Sequence, residues 1–354
     1  MEGRMQRLQS LIGPLLDAIR VFERVERMFH PAMIPRHGEA LNRKADELLN
    51  ARQAFFSRDP DLPSGDAEDA VIRAVDLVVE SARIFSSSEG LQSGIFAAMR
   101  AMRKACRAKE ALFGLRGRVE EIDSFFREAP PRSAKSPGHD LKNEDCLIHT
   151  GVESDPYARG ASSLFVPASP AVPGLLPVVI ALHGGSGHGR DFLWTWIREA
   201  RTRGFILLAP TSVGPTWHME DPLPDLRHIL RQVERASEHY AADTSRMLLT
   251  GLSDGATFAL RCAMLPSTPF SAFAPVSGVL PPGEISGAAG RRIYWIHGAY
   301  DWMFPPERAR QGSSRLIEAG AEVTLKVIEN LAHAHPREEN GGILTWFDPG
   351  LCLP

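Results

Sequence analysis

The chain has 354 residues, of which 44% are hydrophobic and 23% are charged, and its formal net charge at pH 7 is −3. This length exceeds that of a typical single domain, so we expect a core domain with an appended module. The small negative charge argues against nucleic-acid binding as the main role.

The first part of the chain, up to about residue 127, carries only helical patterns. Apolar residues that recur at intervals of three and four lie on one face of a helix. Three strong repeats and a weaker one from Gly38 to Phe56 predict three or four helices. The strong repeats are Leu8, Leu11, Ile12, Leu15, Leu16, Ile19 and Phe22; Ile72, Val75, Val79, Ala82 and Phe85; and Leu91, Ile95, Ala98, Met102 and Ala105.

A segment rich in proline, serine and charge at 129–138 is typical of a linker. We therefore divide the chain into a helical module (1–127), a linker (128–144) and a second domain (145–354).

The apolar stripes of the helical module are wider than a few short helices can bury among themselves. The second domain has no insertion long enough to form a cap, since 277–291 reads only as a loop. We expect the module to cover the mouth of an active site or to build a homo-oligomer interface. A self-contained bundle with an unrelated binding role is the alternative.

The helix predicted from the third repeat carries five basic residues, namely Arg100, Arg103, Lys104, Arg107 and Lys109. They could contact an anionic surface, but a solvated helix face is the simpler explanation.

From about residue 145 the pattern changes to alternating strands and helices. This alternation predicts βαβ units and a mostly parallel sheet flanked by helices, an α/β fold. We place strands near Leu147, Leu164, Val179, Leu207, Leu248, Phe273, Ile293 and Leu325.

Two of these strands run into glycine-rich turns. The strand at 177–182 is followed by His183-Gly184-Gly185-Ser186-Gly187, and the strand at 247–250 by Gly251-Leu252-Ser253-Asp254-Gly255. The second turn fits the G-x-S-x-G nucleophile elbow, in which a sharp bend holds a serine oxygen above the sheet edge. We predict that Ser253 is a nucleophile.

Backbone N–H groups in such turns can bind a developing oxyanion. We assign this role to the N–H groups of Gly185 and of Asp254, the residue after the nucleophile. Asp254 could instead be only an acidic residue in the first turn of the following helix.

A serine nucleophile needs a base and an acid that orients the base. The run from Arg292 to Asp301 is predicted to be a strand that ends in a turn, and we assign Asp301 as the orienting acid, although it could instead cap the helix that starts near Pro305. The loop after the last predicted strand contains His333 and His335, and one of them should be the base.

These motifs resemble those of the serine-esterase branch of the α/β-hydrolases. The similarity is greatest to the predicted-esterase group that borders the phospholipase/carboxylesterase and polyhydroxybutyrate-depolymerase-like families, and it covers roughly 145–350. It implies the α/β-hydrolase fold. In such families the catalytic histidine is the first residue of an H-x-x-P segment, which selects His333 in His333-Ala334-His335-Pro336. Asn330-Leu331-Ala332 replaces the usual glycine before it, so His335 stays open as the base.

The predicted function is hydrolysis of a small-molecule carboxylic ester without a cofactor. Trp217, Trp194 and Trp302 are candidates to line the substrate pocket, although aromatic side chains also fill cores. The alternatives are a peptidase or amidase of the prolyl-oligopeptidase type and a non-catalytic interaction protein on a hydrolase fold.

The four cysteines, Cys106, Cys146, Cys262 and Cys352, have no metal-ligand spacing, so we expect reduced thiols and no metal site. The N-terminus lacks the apolar core of a signal peptide, and no run of about 18 apolar residues occurs. We therefore expect a cytoplasmic protein with no stable membrane insertion.

Overall fold

The computed structural model describes residues 2–57, 65–87, 90–128, 145–168 and 174–353. The chain divides into two compact units, Met1–Arg127 and Glu128–Pro354. The predicted linker (128–144) lies outside the described residues except for its first residue, Glu128.

The described part of the first unit is all helical. Its helices are α1 (Glu2–Arg27), α2 (Ile34–Ser57), α3 (Asp66–Phe85), α4 (Leu91–Phe113) and α5 (Glu120–Phe125). Helix α3 packs along α4, and α1 packs along α2. Most residues of the apolar stripes are buried, as at Leu11, Ile19, Val75 and Phe85, whereas Phe96 on α4 is exposed. Helix α5 was not predicted as a separate element because six residues are too few to show a helical repeat.

Basic residues of α4 form ion pairs inside this unit. The pairs are Lys109 with Glu23, Lys104 with Glu80, and Arg107 with Glu110. These contacts favour a structural explanation of the basic run over contact with an anionic surface.

The second unit contains an eight-stranded sheet within the residues that are described. Its strands are β1 (Cys146–Thr150), β2 (Ser162–Val166), β3 (Leu176–Leu182), β4 (Ile206–Pro210), β5 (Ala242–Leu252), β6 (Ala272–Val276), β7 (Arg292–Gly298) and β8 (Glu322–Ile328). Their order is β1-β2-β4-β3-β5-β6-β7-β8. Strand β2 pairs antiparallel with β1 and β4, and the other neighbours are parallel. All eight predicted strands and the α/β fold class are confirmed.

Helices cover the sheet and bury its central strands. They are α6 (Gly189–Phe192), α7 (Ile197–Arg203), α8 (Leu223–His239), α9 (Asp254–Ala263), α10 (Pro306–Glu318) and α11 (Asn340–Phe347). Every residue of β3, β4 and β6 is buried, because these strands are nearly continuous apolar runs packed on both faces. The predicted loop at 277–291 contains one short 3-10 turn, Ser286–Ala288.

The strand order places the functional loops at one edge. Strand β3 lies between β4 and β5, so the direction in which the chain crosses the sheet reverses there. Open α/β sheets bind ligands outside the carboxyl ends of their strands, at such a reversal. The loops that follow β3, β5, β7 and β8 meet at this edge. Among the described residues, no helix is long and apolar enough to cross a membrane.

Candidate active site

Ser253 occupies the sharp turn between β5 and α9. Its backbone is in a strained region, with φ of 56° and ψ of −116°, and its N–H donates to the carbonyl of Val276 at 3.0 Å. A methyl group added at Gly251 would lie 2.6 Å from the backbone of Gly255, and one at Gly255 would lie 2.5 Å from the carbonyl oxygen of Leu182. The glycines of the motif are therefore required by close backbone contacts around the serine.

His333 bridges Ser253 and Asp301. Its Nε2 lies 2.9 Å from the Ser253 Oγ, and its Nδ1 lies 2.8 Å and 3.0 Å from the two carboxylate oxygens of Asp301. A carboxylate only accepts hydrogen bonds, so Nδ1 carries the proton and donates. The lone pair on Nε2 is then free to accept the proton of the serine hydroxyl.

The Asp301 carboxylate is fully buried and has further donors. Its Oδ1 accepts from the N–H groups of Met303 at 3.0 Å and of Phe304 at 2.8 Å, so Asp301 also fixes the turn before α10. Burial alone would raise the pKa of Asp301, but the hydrogen bond and charge of His333 and the backbone donor outweigh it and hold this pKa below its usual value. The carboxylate stays ionised at neutral pH.

A second buried histidine, His297 at the end of β7, contacts the same turn. Its Nε2–H donates to the Phe304 carbonyl at 2.8 Å and lies 3.4 Å from Asp301 Oδ2. Burial lowers the pKa of His297, so it is neutral at pH 7 and supports the turn as an uncharged donor.

His335 is directed away from Ser253. Its Nε2 donates to the side-chain oxygen of Asn340 at 2.7 Å, and the Asn340 amide donates to the carbonyl of Thr195 at 2.9 Å. Burial lowers the pKa of His335 to about 4. Of the two candidate bases, the structure brings His333 to the serine, while His335 anchors the loop to α11.

The glycine-rich turn after β3 lies beside the nucleophile. The Gly187 N–H donates to the Gly184 carbonyl at 2.9 Å, which closes a turn in which Ser186 has a φ of 54°. A methyl group added at Gly184 would lie 3.4 Å from the Ser253 Cβ.

Gly185 and Asp254, the two predicted oxyanion donors, lie against each other. A methyl group added at Gly185 would lie 2.8 Å from the Asp254 carboxylate, which accepts from the hydroxyl of Thr216 at 2.6 Å. Asp254 is also the first residue of α9, so its N–H has no partner within the helix and can serve a ligand.

Two of the three tryptophans predicted to line a pocket are core residues, so these two assignments are wrong. Trp217 and Trp194 are each 1% exposed. The Trp217 indole donates to the His183 carbonyl at 2.8 Å and packs against Phe258 beneath the glycine-rich turn. The sequence alone cannot distinguish an aromatic side chain that lines the site from one that fills the core beneath it.

Trp302 is placed at the site. It is partly exposed, and its ring centre lies 6.2 Å from that of His333 in an edge-to-face arrangement. Phe304, which was not predicted, approaches the same imidazole at 5.4 Å. Both lie within three residues after Asp301, so their position depends on the turn that Asp301 fixes.

Two polar residues outside the motifs also reach the site. Thr216 binds the Asp254 carboxylate, and Arg159 binds the carbonyl of Gly187 at 2.7 Å. No local pattern marks either residue in the sequence. Within the described parts of the chain, no group of three or more His, Cys, Asp or Glu side chains is placed to hold a metal ion.

No protein-family model and no curated protein matches the sequence. Three of the similar solved structures are a thermostable esterase, an acylaminoacyl peptidase from Pyrococcus horikoshii and an acetyl xylan esterase from Aspergillus awamori. The first has 23% identity and a TM-score of 0.45, the second 15% and 0.47, and the third 16% and 0.47. The matches cover 53%, 58% and 58% of this chain, and 58%, 41% and 98% of the respective relatives.

The chain therefore spans about three fifths of the thermostable esterase and two fifths of the peptidase. Likeness at these identities and scores establishes neither an activity nor a substrate. The order of the eight strands and the strained serine turn at the end of β5 identify the second unit as an α/β-hydrolase fold.

Proposed function

We propose that the second unit is a serine hydrolase that cleaves carboxylic esters through an acyl-enzyme intermediate. The observation that carries this proposal is the chain of hydrogen bonds from Asp301 through His333 to Ser253, with contacts of 2.8 Å and 2.9 Å. A nucleophile bonded to a base, and the base to an orienting acid, is the arrangement that activates a serine hydroxyl.

The first half of the reaction acylates the serine. The Ser253 Oγ attacks the ester carbonyl carbon while His333 Nε2 takes the hydroxyl proton, and Asp301 stabilises the resulting imidazolium. The N–H groups of Gly185 and Asp254 bind the oxyanion, and each such donor typically contributes about 2.7 to 4 kcal/mol to transition-state stabilisation.

The tetrahedral intermediate then collapses. The bond to the leaving alcohol breaks, and His333 gives its proton to the alcohol oxygen. In the second half, His333 takes a proton from a water molecule that attacks the acyl-enzyme. The acid leaves and Ser253 regains its proton.

The aromatic residues beside His333 support an ester with an apolar alcohol portion. The leaving oxygen must come within hydrogen-bond reach of His333 Nε2, which brings the alcohol close to Trp302 and Phe304. Tyr300 and Met303, on the same turn, are 66% and 44% exposed. We assign Trp302 as a residue that binds the substrate, and we propose that this substrate is a small molecule.

The test is the Ser253→Ala variant, assayed on p-nitrophenyl acetate and butyrate. Turnover should fall to background while the circular dichroism spectrum stays that of the wild type. Labelling by a fluorophosphonate should occur in the wild type and not in the variant, which separates an active serine from a non-catalytic hydrolase fold. Wild-type turnover in the variant contradicts the proposal.

The same site could attack an amide, so the substrate panel pairs each ester with the peptide amide of the same acyl group. Faster turnover of the amide would make the protein a peptidase or amidase. We also propose that the enzyme acts in the cytoplasm, because its four cysteines are scattered along the sequence without the spacing of a disulfide framework or a metal site. Cell fractionation with an antibody tests this location.

A further inference from the structure

Arg159, in the loop between β1 and β2, joins two loops of the candidate site. Its Nη1 donates to the carbonyl of Gly187 at 2.7 Å, its Nε donates to the carbonyl of Gly214 at 2.8 Å, and its Nη2 donates to the hydroxyl of Ser212. Gly187 belongs to the turn after β3, and the other two acceptors belong to the loop after β4. A guanidinium can hold three such acceptors because its donors form a rigid planar fork.

The turn that Arg159 binds is strained and needs support. Ser186 adopts a left-handed conformation with a φ of 54°, which is unfavourable for any residue except glycine and persists only where its surroundings enforce it. Only two peptide units separate the clamped Gly187 carbonyl from the Gly185 N–H. A shift of the turn would therefore carry this N–H away from Ser253.

Three further hydrogen bonds fix the first half of the turn. His183 Nδ1 donates to the Gly184 carbonyl at 2.7 Å, and His183 Nε2 accepts from the Ser212 N–H at 3.1 Å. The Trp217 indole donates to the His183 carbonyl at 2.8 Å. These bonds hold the residues before Gly185. Arg159 Nη2 also lies 3.5 Å from His183 Nε2, and its Nη1 holds Gly187 at the far end of the turn.

We infer that Arg159 is a positioning residue that holds the Gly185 N–H in the orientation that binds the oxyanion. The inference rests on the proposed ester hydrolysis and adds to it a residue outside the four motifs. Arg159 acts through the turn and does not contact the substrate.

Displacement of the Gly185 N–H has a kinetic effect that a general loss of structure does not share. Loss of an oxyanion donor typically lowers kcat by about 10²- to 10³-fold, so displacement of one donor in Arg159→Ala should lower kcat by roughly 10- to 100-fold. KM should change by less than about threefold, because the donor acts mainly in the transition state.

The decisive measurement compares p-nitrophenyl acetate with p-nitrophenyl thionoacetate. The thionoester places sulfur, a poorer hydrogen-bond acceptor, where the oxyanion would form, so it gains less from the oxyanion donors. In Arg159→Ala the ratio of kcat/KM for the oxygen ester to that for the thionoester should fall by at least about threefold from the wild-type value. Each kcat is referred to active sites titrated with a fluorophosphonate.

Arg159→Lys keeps the positive charge but loses the planar set of guanidinium donors. It serves as the test variant if Arg159→Ala does not fold, and we expect the same fall in the ratio of oxygen-ester to thionoester kcat/KM. Arg227→Ala is the matched control, since this exposed arginine binds one carbonyl of its own helix, that of Leu223, and should leave both rates unchanged. A wild-type kcat, or a lowered kcat with a wild-type ratio, in a folded Arg159 variant overturns the inference. Wild-type turnover in Ser253→Ala would instead overturn the proposed function itself.

Discussion

Replacement of Asp301 by asparagine is expected to inactivate the enzyme without unfolding it. The reason lies in how the two carboxylate oxygens share the hydrogen-bond donors around them. Oδ1 receives the N–H groups of Met303 and Phe304, at 3.0 Å and 2.8 Å, and both oxygens face His333 Nδ1. In the variant the amide oxygen must take the Oδ1 position to satisfy the two backbone donors, so the amide NH2 takes the Oδ2 position, 2.8 Å from His333 Nδ1.

The NH2 group of the variant can only donate, so His333 must present a lone pair at Nδ1 and carry its proton on Nε2. Nε2 then donates to Ser253 and cannot accept its proton. The negative charge that stabilises the imidazolium is lost as well. The corresponding change in serine proteases lowers kcat by about 10⁴-fold, which corresponds to about 5 kcal/mol in the activation free energy.

The assay is the kcat for p-nitrophenyl butyrate, together with the melting temperature and the near-ultraviolet circular dichroism spectrum. Because the two backbone hydrogen bonds are kept, the spectrum should match the wild type. Asp221→Asn is the control, an exposed aspartate that binds only the N–H of Leu223 among its described contacts. A kcat for Asp301→Asn within about tenfold of the wild type refutes the assignment of Asp301 as the orienting acid.

Three other predictions concern the base, a buried acid and the helical unit. His333→Ala should lower kcat by about 10⁴-fold, whereas His335→Ala should lower the free energy of unfolding by about 2 to 4 kcal/mol and keep kcat per active site within about tenfold, because its buried ring packs in the core. Burial, and then the nearby carboxylate of Glu128, raise the pKa of Glu199 to about 7 from 4.5. The folded state then binds more protons than the unfolded state between pH 4.5 and 7, so stability falls as pH rises through this window, and Glu199→Gln should recover roughly 3 kcal/mol at pH 8 and nothing at pH 4. The first unit should form a homo-oligomer through faces such as that of Phe96, which is 53% exposed, so Phe96→Asp should lower the mass measured by light scattering to that of a monomer.

Each of these predictions has a distinct contrary result. A greater loss of kcat in His335→Ala than in His333→Ala would move the base along the loop. Equal gains in melting temperature for Glu199→Gln at pH 4 and pH 8 would show that ionisation of this carboxyl does not oppose folding. A wild-type mass by light scattering that equals the mass of a monomer would contradict the oligomer prediction.

The sequence by itself determined the strands of the second unit and the segments that form its site. Strands such as β3 and β4 are continuous apolar runs, and this pattern identifies a strand buried on both faces without knowledge of its neighbours. The elbow around Ser253 was recognisable because its serine and both glycines lie within five consecutive residues, even though the backbone of Leu182 that requires Gly255 belongs to another strand. The order of the motifs then indicated where Asp301 and the two histidines should lie.

Only the tertiary structure decided which side chain of each segment takes part. His333 and His335 are two residues apart in one loop, and the choice between them depends on the distant partners Ser253 and Asn340. Arg159 likewise reaches the turn after β3 from another loop, with no local motif to mark it. Local periodicity fixes which residues form an element, but hydrogen-bond partners are chosen by the packing of elements that lie far apart in the chain.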